Sequence, residues 1–266
     1  MLERFMEVVI CKDAAQVGAV AAAKVAQVAR RVGPSVVLGV ATGSSPLALY
    51  SELAALVAAG SIDLSHASAF ALDEYVGLPQ GHPESYAEVI RRTVTEPLGL
   101  DPSRVHVPDG FADDLALAAE QYEAAIAAAG GVDVQILGIG ANGHIGFNEP
   151  TSSLSSRTRI KTLTPRTRAD NARFFDSPEQ VPIHCLTQGL GTILDAREVV
   201  LVANGQSKAD AVRAAVEGPL TAMVPASVLQ LHRFATVVVD EAAAAGLTTG
   251  DFHAFIRDNK PEWQRY

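Results

Sequence analysis

The sequence predicts an α/β fold: a single domain with a mostly parallel sheet and helices on both faces. Candidate strands such as SVVLGV and EVVLVANG are apolar throughout instead of alternating, which is typical of strands buried on both faces. These strands alternate with helical segments, as in βαβ units. The chain has 266 residues, 48% of them hydrophobic, and no repeat or linker is evident. One domain over residues 1–266 is therefore the simplest organisation.

The first half of the chain supplies the first predicted elements. EVVIC predicts a short strand, and Asp13 is placed to cap a helix over AAQVGAVAAAKVAQVARR that ends at Gly33 and Pro34. SVVLGV predicts a second strand. PLALYSELAALVAAG predicts a helix with Pro46 in its first turn and Gly60 at its end. HASAFALDEY predicts a third strand that ends in acidic residues, and ESYAEVIRRTVTEPL predicts a helix.

The second half of the chain continues the alternation. The helix DDLALAAEQYEAAIAAAG leads into the strand VDVQILGIG, and the strand EVVLVANG is followed by the helix SKADAVRAAVEG and by ATVVVDEAAA, a final strand and turn. In such sheets, ligands bind beyond the carboxyl ends of the strands. The loops expected to carry function are therefore ATGSSP, LDEYVG, GIGANGHIGFNEP and ANGQSK, each of which follows an apolar strand.

Charge and cysteine content exclude several classes of protein. The formal net charge of −9 disfavours nonspecific nucleic-acid binding. Cys11 and Cys185 lie in apolar surroundings without C-x-x-C spacing, which indicates buried thiols in a reducing compartment. MLERFMEVVICKD lacks the apolar run of a signal peptide, and no apolar run reaches the ~18 residues that span a membrane. We therefore expect a cytoplasmic protein with no membrane association.

The loop ATGSSP predicts an anion site, because hydroxyls and unhindered N–H groups at a helix N-terminus favour phosphate. It is neither a Walker loop nor a GxGxxG motif, so a dinucleotide is not indicated, and a simple capped turn is an equal alternative. Arg173 and Lys208 are candidate cations for a phosphate monoester, although a lone basic residue is more often a solvated surface charge. The candidate phosphate-binding residues of the loop are Thr42, Gly43, Ser44 and Ser45.

Two other loops carry candidate acids and bases. In LDEYVG, successive side chains point apart, so only one of Asp73 and Glu74 is expected to face a pocket, where it could act as a general base or cap a helix. In GIGANGHIGFNEP, glycines allow a tight turn and His144 could shuttle a proton. Asn142 and Glu149 could bond to its imidazole. One histidine and one glutamate are too few ligands, so no metal is predicted.

Several separated stretches together resemble the glucosamine-6-phosphate deaminase family: LDEYVGL, GHPESY, GIGANGHIGFNEP, SSLSSRTRIKTLT, ARFFD and AVEGP. They occur in order over most of the chain, from ATGSSP to LQLH. The resemblance implies a Rossmann-like α/β fold. It also implies conversion of glucosamine 6-phosphate and water to fructose 6-phosphate and ammonia, in N-acetylglucosamine catabolism, without a metal or an organic cofactor.

The resemblance also implies roles for individual residues. Asp73 matches the base that takes the C2 proton of the open-chain sugar and returns it at C1. His144 matches the residue that assists opening of the pyranose ring, and Asn142 and Glu149 match the residues that assist it. Some members carry Asp at the position of Asn142, so here the imidazolium would depend on Glu149 alone for a negative charge. The family's phosphate-binding groups match the ATGSS loop, Arg173 and Lys208.

Regulation and assembly are further implications of the resemblance. Ser152, Arg159 and Lys161 match part of a subunit-interface site at which N-acetylglucosamine 6-phosphate activates some members. Ala254 stands where those members use a tyrosine, so activation here is a hypothesis. A homo-oligomer, up to a hexamer, is expected. Its position after the catalytic loop makes 151–185 the expected lid.

Three alternatives stay open at this point. A 6-phosphogluconolactonase would share the fold, but it needs no base at C2, so the LDEY motif argues against it. A galactosamine-6-phosphate enzyme would share the mechanism, and contacts to sugar C4 cannot be read from the sequence. A sugar-phosphate-sensing regulator would keep binding without catalysis, but such proteins carry an added helix-turn-helix segment that is not evident here.

Overall fold

The computed structural model describes residues 6–262, and in this part of the chain ten strands form two sheets. Seven strands make a sheet in which every pair is parallel. These strands are β1 Glu7–Cys11, β2 Val37–Val40, β3 Ser68–Ala71, β5 Val105–His106, β6 Val134–Leu137, β9 Glu198–Ala203 and β10 Ala235–Asp240. Their spatial order is β1-β10-β9-β6-β2-β3-β5. The predicted mostly parallel α/β fold is confirmed.

A second, smaller sheet is antiparallel, and the sequence did not predict it. It consists of β4 Asp73–Tyr75, β7 Arg159–Thr162 and β8 His184–Thr187, in the order β4-β8-β7. The prediction of one strand over HASAFALDEY was wrong. The chain leaves the parallel sheet at Leu72, so β3 and β4 are separate strands that belong to different sheets.

The helices alternate with the strands of the large sheet. They are α1 Ala14–Val32, α2 Leu47–Ala58, α3 Tyr86–Ile90, α4 Glu96–Leu98, α5 Leu115–Ala128, α6 Pro165–Asn171, α7 Leu190–Leu194, α8 Ala209–Val216, α9 Glu241–Ala244 and α10 Gly250–Asp258. A π-helical turn, Arg91–Thr95, joins α3 to α4, so the helix predicted over ESYAEVIRRTVTEPL is continuous. No helix within residues 6–262 is both long enough and apolar enough to cross a membrane.

Local sequence signals explain how α1 and α2 pack. Asp13 caps α1 by accepting a hydrogen bond from the Gln16 N–H at 2.8 Å, and Gly33 ends the helix with a φ of 93°. A Cβ added at Gly18 would lie 2.6 Å from the Cβ of Ala48, so the glycine lets the two helices approach closely. Apolar clusters then fill both faces of the sheet, one around α1 and α2 and the other around α5, α7 and α8.

Candidate active site

The carboxyl edge of the large sheet brings the predicted loops together. Strands β9, β6 and β2 are neighbours, so the loops that follow Ala203, Leu137 and Val40 leave the sheet side by side. The Ser45 hydroxyl lies 3.5 Å from Asn204 Oδ1, which joins the ATGSSP loop to the ANGQSK loop. The two predicted phosphate loops therefore border one space.

Basic side chains lie near one another beside the ANGQSK loop, which carries Lys208. Burial lowers the pKa of Lys208, the nearby Asp170 opposes that change, and the positive charges of Arg173 and Arg166 lower the pKa further. The structure thus places Lys208 and Arg173 in one electrostatic cluster. Arg166, on α6, belongs to the same cluster and was missed, because a lone exposed arginine in PRTRADN carries no motif. Several cations that repel each other are stabilised when a dianion binds between them.

Tyrosine hydroxyls connect the phosphate loop to the small sheet. The Tyr86 hydroxyl lies near the Thr42 side chain and 3.4 Å from the hydroxyl of Tyr75 on β4. Asn171, at the end of α6, donates to the Tyr75 hydroxyl at 2.9 Å. Phe175 packs edge-on against the Tyr75 ring, with the centroids 5.8 Å apart. Segment 151–185 therefore contacts the same aromatic group as the phosphate loop.

The glycines of GIGANGHIGFNEP make room for the imidazole of His144. A Cβ at Gly140 would lie 2.1 Å from His144 Cε1, so the ring packs against bare backbone. The ring Nδ1 lies 2.6 Å from Asn142 Oδ1, and the same oxygen accepts from the His144 N–H at 3.2 Å. An acceptor at Nδ1 places a proton there, so Nε2 is the nitrogen left for a ligand. The side chain is 18% exposed.

Glu149 contacts both Asn142 and His144. Its Oε2 accepts from Asn142 Nδ2 at 2.7 Å and lies 3.7 Å from His144 Nδ1. Its Oε1 accepts from the hydroxyls of Thr164, at 3.1 Å, and Thr167, both in the α6 segment. Burial opposes ionisation of Glu149, but hydrogen bonds from His144, Thr167 and Asn142 lower its pKa to about 2. The carboxylate is therefore charged and can balance an imidazolium. Neither threonine was a sequence candidate, because only the fold brings them to Glu149.

Asp73 lies on β4 and is 5% exposed. Burial raises the pKa of Asp73 to about 8, and the carboxylate of Glu74 adds to the rise, while the nearby Phe147 N–H and Thr187 hydroxyl oppose it. A Cβ at Gly146 would lie 3.4 Å from Asp73 Oδ2, so the histidine loop passes directly over this carboxylate. The acidic and imidazole candidates thus border the same loop.

Glu74 points away from Asp73, as the alternation of an extended segment requires. Its Oε1 accepts from the N–H groups of Tyr75 and Tyr86, at 2.7 and 2.9 Å, and its Oε2 accepts from that of Ala87 at 2.9 Å. Burial raises the pKa of Glu74, and these N–H groups oppose the rise. Glu74 therefore anchors the start of α3, and Asp73 is the carboxylate beside the histidine loop.

The residues matched to an activator site lie on and beside β7. Arg159 donates to Asn148 Oδ1 at 2.8 Å, and Asn148 in turn donates to the carbonyl groups of Ile145 and Gln188. Ser152 is buried and its Oγ has no hydrogen-bond partner among residues 6–262, while Lys161 is half-buried on the same strand as Arg159. Ala254 lies on α10. Residues 6–262 contain no group of three or more His, Cys, Asp or Glu side chains arranged to hold a metal ion.

This site combines a cluster of basic side chains with an imidazole and carboxyl groups, which are the groups that an enzyme acting on a sugar phosphate needs. The chain matches the family described as glucosamine-6-phosphate isomerases/6-phosphogluconolactonase over residues 12–238, and it belongs to that family. It is 64% identical to a glucosamine-6-phosphate deaminase of Cutibacterium acnes over 247 residues, which are 93% of this chain and 94% of the relative. It is 59% identical to a glucosamine-6-phosphate deaminase of Streptomyces coelicolor over 260 residues, which are 97% and 99% of the two chains.

Solved structures agree with this assignment of the family. A glucosamine-6-phosphate deaminase described as monomeric superposes with a TM-score of 0.88 at 39% identity, over 91% of this chain and 100% of its own. The 6-phosphogluconolactonase from Trypanosoma cruzi superposes with a TM-score of 0.70 at 22% identity, over 93% of this chain and 98% of its own. At that identity the second likeness concerns the fold alone.

Proposed function

We propose that this protein is a glucosamine-6-phosphate deaminase, which converts glucosamine 6-phosphate and water to fructose 6-phosphate and ammonia. The observation that carries the proposal is the meeting of a basic pocket, a partly exposed imidazole and a buried carboxylate at one sheet edge. The near full-length similarity to deaminases supports the same activity.

The first chemical step is opening of the pyranose ring. The anomeric hydroxyl must lose a proton and the ring oxygen must gain one, so a group that both accepts and donates near neutral pH is needed. His144 supplies this group through Nε2, because Asn142 occupies Nδ1 at 2.6 Å. The ionised Glu149 stabilises the imidazolium during the transfer.

The second step moves one proton from C2 to C1 of the open-chain sugar. Asp73 takes the C2 proton, and the C–H electron pair forms the C1–C2 double bond while the C1=O π pair moves to O1. O1 takes a proton from the substrate's ammonium group, which gives an enolamine, and Asp73 then returns its proton at C1 as the nitrogen forms a double bond to C2. The product is an imine at C2, to which water adds and from which ammonia leaves. A buried base is ionised more readily when the substrate's ammonium group lies beside it, so binding prepares Asp73 for the transfer.

The phosphate group holds the carbon skeleton in register during these steps. The ATGSS loop, Lys208, Arg173 and Arg166 bind it, and this remote binding energy is used to align C1 and C2 with Asp73. We propose that residues 151–185 act as a lid, because Asn171 and Phe175 contact Tyr75 beside the base. Hydrogen exchange in 151–185 that is equally protected with and without a sugar phosphate would contradict the lid.

Ammonia release is the direct test of the function. The wild-type protein should release ammonia from glucosamine 6-phosphate without added metal, and Asp73→Asn should lose at least about a hundredfold in kcat. Galactosamine 6-phosphate is assayed in parallel, and a preference for it would keep the mechanism and change the substrate. No release from either sugar, with binding of glucosamine 6-phosphate intact by calorimetry, would reject catalysis and favour a sensor.

Assembly, activation and location also belong to this proposal. A cytoplasmic homo-oligomer, up to a hexamer, stays a prediction, and a solved relative is described as monomeric. Light scattering of the purified protein distinguishes a monomer from a homo-oligomer. Activation through Ser152, Arg159 and Lys161 predicts that N-acetylglucosamine 6-phosphate lowers the midpoint of the substrate saturation curve. An unchanged curve would reject activation.

A further inference from the structure

Thr187 faces Asp73 across the small sheet. The two residues are direct partners in the antiparallel pairing of β4 with β8. Thr187 is fully buried and Asp73 is 5% exposed, so water competes little with a contact between them. No sequence motif marks Thr187, which lies in the ordinary strand HCLT.

The hydrogen bonds of the Thr187 hydroxyl determine where its proton points. Its Oγ1 accepts from the Phe147 N–H at 3.1 Å, which uses one lone pair and leaves one proton to donate. The acceptor within hydrogen-bonding distance of this proton is the Gln188 carbonyl oxygen, 3.4 Å away, and the Asp73 carboxylate belongs to the residue paired with Thr187 on the neighbouring strand. That carbonyl already accepts from Asn148 Nδ2 at 2.8 Å. The carboxylate, when charged, is the stronger acceptor.

The backbone of Gly146 closes the space around this pair. A Cβ at Gly146 would lie 3.1 Å from Thr187 Oγ1 and 3.4 Å from Asp73 Oδ2. The hydroxyl and the carboxylate are therefore packed side by side under the histidine loop. The Phe147 N–H that orients the hydroxyl belongs to the same loop.

We propose that Thr187 is a positioning residue for the base: its hydroxyl, oriented by the Phe147 N–H, donates to the Asp73 carboxylate, holds it in place and favours its ionised form. This inference rests on the proposed function, because Asp73 must be ionised to take the C2 proton. The loop that carries His144 is thus connected to Asp73 through the Phe147 N–H and the Thr187 hydroxyl.

The electrostatic surroundings make this hydroxyl important. Burial and the charge of Glu74 raise the pKa of Asp73, and the donors that oppose the rise are the Phe147 N–H and the Thr187 hydroxyl. The other titratable groups that interact with Asp73 are neutral acids whose own pKa values are raised by burial. They are Tyr75, Tyr86, Tyr122 and Cys185. None of these four groups carries a positive charge that could stabilise the ionised Asp73 carboxylate.

The test compares Thr187→Val, which keeps the shape and removes the hydroxyl, with Thr187→Ser, which keeps the hydroxyl. In wild type, kcat/KM for ammonia release should rise with pH through an acidic limb set by Asp73. Thr187→Val should move that limb up by ~1 pH unit, which is about a tenfold loss below the limb, with recovery at higher pH. Thr187→Ser should restore the wild-type position.

A buried threonine far from the site provides the matched control. Thr236 lies near the start of β10, at the opposite end of the large sheet, and is 3% exposed. Thr236→Val should leave the limb in place. A loss in Thr187→Val that is equal at every pH, or no loss at all, would overturn the proposal and leave Thr187 a packing residue.

A readout without substrate separates this inference from the proposed function. The pH dependence of the unfolding free energy also reports the ionisation of Asp73. Thr187→Val should extend the decline in stability to higher pH than in wild type, whether or not ammonia is released. Thr187→Ala serves the same measurement if the valine variant does not fold. An unchanged decline would overturn the contact even in an active enzyme.

Discussion

Replacing Asp73 by Asn should stabilise the substrate-free protein at alkaline pH. The pKa of Asp73 is about 8 in the folded protein, against about 3.9 in an unfolded chain. Between these values the folded protein holds a proton that the unfolded chain has lost. The stabilisation that this proton provides is therefore complete below the pKa of the aspartate in the unfolded chain, and it is lost as pH rises through the pKa of Asp73 in the folded protein. Asparagine does not titrate, so the Asp73→Asn variant should lack this decline of the unfolding free energy with rising pH.

The size of the effect follows from the two pKa values. A difference of about 4 pH units corresponds to about 5.5 kcal/mol, since each unit is worth about 1.4 kcal/mol. About 1.5 kcal/mol of this is already lost at pH 5, because the unfolded aspartate is largely ionised there. Between pH 5 and pH 9 the stability of Asp73→Asn relative to wild type should therefore increase by about 4 kcal/mol.

Urea unfolding followed by circular dichroism at five pH values from 5 to 9 measures this change. Taking the difference between variant and wild type cancels the titration of all shared groups. Asp113→Asn makes the same chemical change at an exposed site and should follow wild type. A difference between Asp73→Asn and wild type that is constant across the range would refute the assignment of a buried, protonated Asp73.

Three further changes test other parts of the site. Gly140→Ala should lower kcat at least about a hundredfold in steady-state kinetics, because its Cβ would lie 2.1 Å from His144 Cε1 and displace the ring; an undiminished kcat would contradict the packing. Glu149→Gln should lower the unfolding free energy by about 2 kcal/mol at pH 7. This loss should shrink from pH 5 towards pH 2 in thermal unfolding, since a pKa held at about 2 stabilises the fold only above it. Lys208→Met should raise KM roughly ten- to a hundredfold with a smaller change in kcat, because it removes a cation from the phosphate pocket; a change in kcat alone would reject that role.

The sequence signals that succeeded are local ones. Continuous apolar runs such as VVLGV and EVVLVA predict buried parallel strands, because both faces of the sheet are covered. Asp13 and Gly33 mark the ends of α1 through interactions within a few residues. The rule that ligands bind at carboxyl strand ends then predicts which loops meet, without any knowledge of their side-chain contacts.

The features that escaped prediction depend on pairing between distant segments. Strands β4, β7 and β8 are only three or four residues long, and they come from widely separated parts of the chain. Such short strands have too few residues for a period to be recognised. Thr187 and Thr167 gain their roles only because this pairing and the course of α6 bring them to Asp73 and Glu149. Arg166 likewise comes close to Lys208, in the proposed phosphate pocket, only through the position of α6.

The small sheet also separates two parts of the proposed mechanism. Asp73 and Thr187 lie on β4 and β8, which are paired residue by residue, so the base and its hydroxyl donor are held by strand geometry. Glu149 instead depends on Thr164 and Thr167, which belong to the segment between β7 and β8. A displacement of that segment would remove the partners of Glu149 and leave the pairing of Asp73 intact. The imidazole proposed to open the ring would then be fully supported only when the segment is in place, whereas the position of Asp73 would not depend on the segment.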